Sequence, residues 1–410
     1  MIEKPIFRFF TFSTLLTFLT LSLVLNSCQN SGKPQTDLVT LDIISALKNG
    51  KEFRLSEMVD SIKYVKLETR PECLISSASK VIGEKYIVLL NSQPAQVLLF
   101  DRSGKFIRPI GKIGKGPGEY TYPIKIDLSP DEDRILVYDM ALRQITEYSL
   151  DGIVQSAAKA PDGLAEGPLY LDSDHIAYMQ LPWTDSLNYP RVTALNLRTL
   201  EQKSLWHIDY KRNPNQEPGY YIQNNFLATT DGIVFKDGLS DTIYHLKPDL
   251  SLSPVFSLKP FPNPPAYYQM SEEELDASSS VSLACYFGDF LLLIGTNQER
   301  FHVIYNSFTK ETFRLPKIRE CRAENDYFYG IINDLDGTDP VWFWGGTNVR
   351  SNQVSNLFQI VNLKEKIKTD CFLKADLRTD QYRDQLRKMV EESSENDNPI
   401  IRIMHLRLAR

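Results

Sequence analysis

A strand-and-turn phrase recurs about every fifty residues along this chain. Val97-Leu-Leu-Phe-Asp-Arg-Ser-Gly104 returns as Ile145-Thr-Glu-Tyr-Ser-Leu-Asp-Gly152. Weaker echoes follow at Val192–Asn196, Ile243–Lys247, His302–Asn306 and Gln359–Asn362. Repeats of about this period, built from short strands and turns, are typical of a β-propeller, in which four-stranded blades stand around a central channel.

The number of repeats predicts the number of blades. One landmark residue was taken from each repeat: Phe100, Tyr148, Leu195, Leu246, Tyr305 and Val361. Successive landmarks lie roughly fifty to sixty residues apart, which is enough for four strands of five or six residues with their turns. The sequence therefore predicts an all-β fold with six blades.

The two ends of the chain are expected to close the ring, because an open array would expose unpaired strand edges. The segment 399–406 predicts a closing C-terminal strand, and Glu52–Leu55 and Ser61–Leu67 predict N-terminal strands that could share its blade. Residues 376–392 carry apolar side chains at helical spacing, which predicts one amphipathic helix capped by Asp376 or Thr379. The propeller is assigned to residues 41–410.

Residues 1–28 have the pattern of a lipoprotein signal peptide. A positively charged start precedes an uncharged apolar run from Phe9 to Leu25, which is short for a membrane-spanning helix. The run ends in Leu25-Asn-Ser-Cys28, which resembles a bacterial lipobox and predicts lipidation of Cys28. Residues 29–40 then form a flexible tether. The alternative is an uncleaved N-terminal membrane anchor, and both place the body outside the cytoplasm.

Charge and cysteine content narrow the function classes. The formal net charge of −6 comes without a basic block, so we expect no nucleic-acid partner. Besides Cys28 the chain has four widely spaced cysteines, which match neither a zinc pattern nor a CxxC pair. Buried free thiols are the favoured state, and Cys285 with Cys321 is the first disulfide to test.

Together the lipobox, the segment YIVLLNSQPAQVLLFDRSGKFIRPIGKIGKGPGEY and the ending NDNPIIRIMHLRL resemble the six-bladed β-propeller lipoproteins of Bacteroidota, whose blades are similar to NHL and TolB-type repeats. The resemblance covers about residues 41–406. It implies a lipid-anchored protein of the cell envelope, at the outer membrane and facing the periplasm. Surface display stays open, although no acidic run follows Cys28. The family implies no common activity or cofactor.

Two loops offer candidate chemistry. The segment 111–120 is rich in glycine and carries Lys112 and Lys115, so its backbone N–H groups and amines could contact an anion or another ligand. It lacks the GK[ST] ending of a phosphate-binding P-loop and no helix follows it, so a structural loop joining two blades is favoured over a ligand contact. The acidic turn Asp334–Asp339 resembles part of a calcium loop, but position 345 is Gly345 where an EF-hand needs glutamate. A plain turn is therefore favoured over a metal site.

Aromatic residues offer a second kind of candidate site. Trp183 and Tyr189 lie in or beside a lengthened loop and could form a platform for a sugar or a peptide. Trp342 and Trp344 could do the same, although core packing explains them equally well.

The sequence thus predicts a binding or scaffold module for a protein, peptide or glycan partner, attached to the membrane through Cys28 and needing no cofactor or metal. The alternative is a propeller enzyme, a lyase or hydrolase acting on sugars or peptides at the channel mouth. A metal-ready cluster, or two carboxylates about 5–9 Å apart at the axis, would favour the enzyme.

Overall fold

The computed structural model describes residues 38–181, 186–210, 225–238, 240–259, 280–287, 289–297, 299–319, 327–339 and 351–407. The predicted sites at Cys28, Trp183, Trp342 and Trp344 lie outside these residues. No helix within the described ranges is long and apolar enough to cross a membrane.

Most of the described chain is β-strand, as the repeat predicts. Two strands precede the first blade, β1 (Val39–Asp42) and β2 (Val59–Lys66). Blades one to three are formed by β3 (Ala78–Ile82), β4 (Tyr86–Ser92), β5 (Ala95–Asp101), β6 (Phe106–Ile110), β7 (Pro123–Leu128), β8 (Arg134–Asp139), β9 (Gln144–Ser149), β10 (Val154–Lys159), β11 (Leu164–Tyr170), β12 (His175–Gln180), β13 (Ser186–Asn196) and β14 (Gln202–Tyr210).

The later blades follow the same order. Blades four and five are formed by β15 (Asn225–Thr229), β16 (Gly232–Lys236), β17 (Thr242–Leu246), β18 (Leu252–Lys259), β19 (Ser280–Phe287), β20 (Phe290–Asn297), β21 (Glu299–Asn306) and β22 (Glu311–Arg314). A separate hairpin of β23 (Lys317–Arg319) and β24 (Tyr327–Tyr329) follows β22 in the chain. Blade six contains β25 (Gln353–Phe358) and β26 (Ile400–Leu406). Within each of blades one to five, four successive strands pair antiparallel.

Blade six is built from both ends of the chain, as predicted. Strand β26 pairs antiparallel with β25 on one side and with the N-terminal β2 on the other. This pairing joins Val59–Lys66 to Ile400–Leu406, so the ring is closed by its own termini and their edges are covered.

The six blades are held together by six apolar clusters, one between each pair of neighbours. The cluster between blades six and one buries Ile401 and Ile403 against Leu98 and Phe100, all four fully shielded from solvent. Apolar burial is the main favourable term in folding. Blade six packs on both blade five and blade one. Closure of the ring therefore buries apolar side chains in two of the clusters, in addition to pairing the strands.

The repeated phrase itself is a hairpin turn between the third and fourth strands of a blade. Gly104 has a φ of 92°, and an added Cβ there would stand 2.3 Å from the carbonyl oxygen of Lys66. Glycine is therefore required by both the backbone conformation and the close approach of β2. The carboxylate of Asp101 accepts backbone N–H bonds from Ser103 at 2.8 Å and Lys105 at 3.1 Å, which fixes the turn.

Residues 38–58 wrap the outside of the ring, and we call them the N-terminal strap. Strand β1 adds to the outer edge of blade four by pairing parallel with β18. The chain then forms helix α1 (Ile43–Lys48), which contacts β22 of blade five. After the helix, backbone N–H groups of the strap donate hydrogen bonds to the carbonyl oxygens of Arg314 in blade five and of Ile332. The strap therefore covers the exposed edges of two blades before entering the sixth.

The helices are more numerous than predicted. Besides α1 there are α2 (Ile360–Lys366), α3 (Asp370–Leu373) and α4 (Gln381–Glu391). Helix α4 confirms the predicted amphipathic helix but begins later than residue 376, with Asp380 at its N-cap. Its apolar side packs on the core between blades five and six through Leu386 and Val390.

Two predictions about particular segments are wrong. The landmark Val361 lies in helix α2 and not in a strand, whereas the other five landmarks all lie in the third strand of their blade. The predicted number of six blades is nevertheless right, because helix α2 directly follows β25, a strand of the sixth blade. Glu52–Leu55 is likewise not a strand: it makes an isolated bridge to Ile332 and leads into a 3₁₀ turn.

The suggested Cys285–Cys321 disulfide is also wrong, because Cys285 is a free thiol. Cys285 is fully buried in strand β19, and burial raises the pKa of its thiol well above the usual value. Cys73 is free and buried as well, as favoured from the sequence, whereas Cys371 is disulfide-bonded.

Candidate functional site

A cavity of about 820 Å³ opens at the axis of the ring. The first strands of successive blades neighbour each other around this axis, β3 beside β7, β7 beside β11 and β11 beside β15. The cavity is bounded by β3 and β7, by the turns that follow the first strands of blades three and four, and by the start of β25. It is therefore an axial cavity enclosed by at least five blades.

The cavity opens on one face of the ring. We call the face that carries the turns 83–85, 129–133, 171–174 and 230–231 the hairpin face. The opposite face, which carries the loops 111–122 and 140–143, is the connector face. Since strands alternate in direction within a blade, turns after first strands and loops between blades lie at opposite ends. The turn residues that line the cavity place its mouth on the hairpin face.

Glu132 braces this mouth between blades one and two. It has a φ of 58°, which presents its side chain to the neighbouring turn. Its carboxylate accepts backbone N–H bonds from Lys85 at 2.9 Å and Tyr86 at 3.1 Å, and another from Glu84. Because its carboxylate accepts from three backbone N–H groups, Glu132 fixes the conformation of the turn 83–85 of blade one.

The next turn along the rim is also internally bonded. Asp172 accepts backbone N–H bonds from Asp174 and His175, both at 2.7 Å, and its other oxygen lies 2.9 Å from Nδ1 of His175. The hydroxyl of Ser173 donates to Asp131 at 3.1 Å, which links this turn to blade two. The rim carboxylates therefore hold blades together.

Blade six is tied to the same rim through Gln353. Its side-chain amide donates to Glu84 at 3.0 Å, and its carbonyl oxygen accepts from Arg102. These bonds connect the start of β25 to two turns of blade one. The cavity wall between blades six and one is consequently pre-formed.

Two lysines occupy the first strands that line the cavity, Lys80 in β3 and Lys125 in β7. Burial lowers the pKa of Lys80, and Lys80 makes no side-chain hydrogen bond or ion pair within the described residues. Lys125 faces the charge of Glu166 in β11: burial raises the pKa of Glu166, and the charge of Lys125 partly opposes this. The two amines thus differ, because only Lys125 interacts with a carboxylate.

An enzyme at the axis would need a metal-binding cluster or a pair of available carboxylates. The described residues include no cluster of three or more His, Cys, Asp or Glu side chains able to hold a metal ion. Of the cavity carboxylates, Glu132 and Asp172 are engaged as described, and Glu84 accepts from Gln353. An aromatic ring, Tyr170, lines the wall, but its hydroxyl donates to Glu147 at 2.9 Å instead of facing a ligand.

The carboxylates of the acidic turn 334–339 bind side chains and backbone from other parts of the fold. Asp334 accepts from the backbone and hydroxyl of Ser56, and Asp339 pairs with Lys366. Asp336 pairs with Arg402 at 2.9 Å. Their oxygens serve these donors, which explains the carboxylates without a cation.

The predicted residues Lys112 and Lys115 lie on the connector face, away from the cavity mouth. Lys112 pairs with Glu119 at 2.9 Å, and the same carboxylate accepts the backbone N–H of Gly116 at 2.8 Å. The glycine-rich loop thus already holds an anion, which is its own glutamate. Lys115 is exposed. Contact of either lysine with a ligand stays a prediction.

Exposed apolar side chains surround this loop. Ile113 and Tyr122 are each 52% exposed and Met140 is 49% exposed. The backbone N–H of Met140 donates to the carbonyl of Tyr122 at 3.0 Å, so the two loops lie side by side. The predicted residue Tyr189 is set apart in β13 of blade three, where its half-buried hydroxyl donates to the carbonyl of Leu181 at 3.2 Å.

The sequence-based prediction missed Lys80 and Lys125. A usable signal was present, because Ser79-Lys-Val-Ile82 and Ile124-Lys-Ile-Asp127 each place a lysine inside the otherwise largely apolar first strand of a blade. A charged side chain at such a position needs a reason other than strand formation.

The profile of a family described as a domain of unknown function (DUF4934) matches residues 38–405. Among solved structures, a protein from Bacteroides fragilis NCTC 9343 described as exported superposes with a TM-score of 0.60 at 16% identity, over 91% of this chain and 100% of that one. A member of the DUF4221 family from Bacteroides vulgatus ATCC 8482 gives a TM-score of 0.48 at 11% identity, over 85% of this chain and 97% of that one. No curated protein matches. The first superposition shows a shared fold.

Proposed function

This chain belongs to the DUF4934 family, and we propose that it is an envelope-anchored binding module whose ligand enters the axial cavity from the hairpin face. The observation that carries the proposal is the pre-formed, partly polar cavity of about 820 Å³ at the axis. Sites for small molecules are typically concave, pre-formed and about 300–1,000 Å³ in volume. A ligand of this size is a short glycan, the end of a peptide or a molecule of similar bulk.

Binding is favoured over catalysis by the state of the cavity's acidic groups. General acid–base catalysis needs a carboxyl that can exchange a proton with the substrate. Glu132 is instead committed to three backbone donors and Asp172 to its own turn and His175. Their removal would loosen the rim, so their role is to shape the cavity.

The proposal predicts that filling the cavity abolishes binding. Ser79 lines the cavity at an exposed position of β3, and Ser79→Trp should place an indole inside it without disturbing the blade core. Binding to an array of oligosaccharides and short peptides should fall by at least about tenfold, since the ligand loses its space. Ser394→Trp, at an exposed position beyond α4, is the matched control and should bind as wild type does.

Two results would overturn this function. One is a wild-type chain that retains no member of the array. The other is a Ser79→Trp variant that folds normally and still binds its ligands with unchanged affinity. Release of a cleaved product from a retained ligand would instead support the enzyme.

We also propose that Cys28 carries the lipid anchor, with the propeller on the periplasmic side of the outer membrane. The lipobox-like Leu25-Asn-Ser-Cys28 supports this, and acyl chains contribute about 0.8 kcal/mol for each buried CH₂. Palmitate labelling should therefore vanish in Cys28→Ala, and the protein should leave the membrane fraction. Cys73→Ala is the control and should keep its label; labelling that persists in Cys28→Ala contradicts the anchor.

A further inference from the structure

We infer that the axial cavity binds a small polyhydroxylated ligand through an anionic group, a carboxylate or a phosphate, which pairs with the Lys80 amine. This inference rests on the proposed function of the cavity and specifies its ligand. It is carried by the position of one amine in a polar enclosure that supplies no carboxylate to it.

Lys80 is isolated from the chain's own acids. It lies at the middle of strand β3 and lines the cavity. Within the described residues its amine has no hydrogen-bond or ion-pair partner, and burial is the sole cause that lowers its pKa. The Lys80 side chain is half-buried, and an ammonium group that is partly shielded from water without a counter-charge is unfavourable; an anion brought by a ligand would offset that cost.

The other charged groups that line the cavity are already engaged. Glu132 is bonded to three backbone N–H groups, Asp172 to its own turn and to His175, and Glu84 to Gln353. Lys125 faces the charge of Glu166 from blade three. Lys80 is therefore the charged group of this cavity that is left for a ligand.

The lining around Lys80 indicates a hydroxylated ligand. Ser79 precedes it in β3, and Ser355 lines the same cavity from β25 of blade six. The hydroxyls of Ser79, Ser355, Thr230 and Ser351 make no hydrogen bond within the described residues, whereas those of Ser129, Ser173 and Thr229 are used by neighbouring turns. Each available hydroxyl can both donate and accept, as a sugar hydroxyl does. The cavity has room for a ligand of one to three sugar units.

Calorimetric titration of the full-length chain in detergent micelles tests the inference with three probes. Digalacturonic acid carries carboxylates, glucose 6-phosphate carries a phosphate, and the dimethyl ester of digalacturonic acid keeps the sugar but removes the charge. At least one acidic probe should bind, and the ester should bind at least about tenfold more weakly, because a hydrogen bond to a charged group is lost. The stronger acid identifies the anion.

Lys80→Met is the decisive variant, since it keeps the length of the side chain and removes a half-buried charge, so folding should be preserved. It should weaken the acidic probe by at least about tenfold. Lys159→Met makes the same chemical change at an exposed lysine of β10, away from the cavity, and should leave affinity unchanged. In ¹³C-dimethylated protein, binding of the acid should also raise the pKa of Lys80, since a bound anion favours the charged amine.

The inference is overturned if the ester binds as tightly as the acid, if folded Lys80→Met binds like wild type, or if none of the probes binds. The proposed function is judged separately by the array. Array ligands that are blocked by Ser79→Trp but indifferent to Lys80→Met would leave a binding cavity with an uncharged mode of recognition.

Discussion

Replacing Asp336 with asparagine is expected to lower the free energy of unfolding by about 3–5 kcal/mol, because it leaves the guanidinium of Arg402 buried without its counter-charge. Arg402 and Asp336 are 1% and 0% exposed and lie 2.9 Å apart. The hydroxyl of Tyr64 donates to the same carboxylate at 2.6 Å. One carboxylate thus joins β2 from the N-terminus, β26 from the C-terminus and the turn 334–339.

Urea denaturation of the two proteins measures this loss. Asp376→Asn is the matched control: Asp376 is 88% exposed and lies 3.4 Å from Arg54, so its loss should change stability by less than about 1 kcal/mol. An Asp336→Asn variant as stable as this control would contradict a closure that depends on the buried pair.

The same pair predicts how acid acts on the protein. Burial raises the pKa of Asp336, but the Arg402 charge and the Tyr64 hydrogen bond outweigh this and bring it to about 2, below the ordinary 3.8. A depressed folded pKa contributes stability that is complete above the unfolded value and is lost as the pH falls from 3.8 through 2. Asp336→Asn should remove that part of the acid dependence.

Shortening the buried side chains of the N-terminal strap should give the second large loss of stability. Leu41 and Ile43 are 1% and 0% exposed and pack into the core between blades four and five. Leu41→Ala or Ile43→Ala should each lower the free energy of unfolding by about 2–5 kcal/mol, through lost burial and the cavity left behind. Leu38→Ala, at a residue 46% exposed, should change it by no more than about 0.5 kcal/mol.

Denaturation curves again supply the measurement, with proteolysis as a second readout, because a detached strap would bare the outer edge of β18. If both buried variants match Leu38→Ala, the strap is a passive tail and does not belong to the core.

The fold could be predicted because its repeat is written in local patterns. Alternating apolar strands and the turn Asp101–Gly104 recur closely enough to count blades, and the closing strand at 400–406 is apolar and follows a polar loop. The failures lie where local patterns are ambiguous. Gln359–Asn362 is short and apolar enough for either a strand or a helix, and its packing against the blade five–six core decided for α2.

The candidate cavity could be predicted only in outline. A propeller has an axis, and residues of first strands face it, but a sequence does not show which carboxylates are consumed by neighbouring turns. Glu132 and Lys80 look equally available in the sequence. In the structure Glu132 accepts from three backbone N–H groups, whereas the Lys80 amine has no acceptor among the described residues. The glycine-rich loop is the opposite case: Lys112 and the backbone N–H of Gly116 look available in the sequence, but in the structure both bind the carboxylate of Glu119.

The most direct test of the central claim is a crystal structure of the chain soaked with the tightest-binding member of the array. The account predicts density for the ligand inside the axial cavity, between β3 and β25, entered from the hairpin face. Density on the connector face beside Lys115 and Tyr122, with the cavity empty, would contradict it.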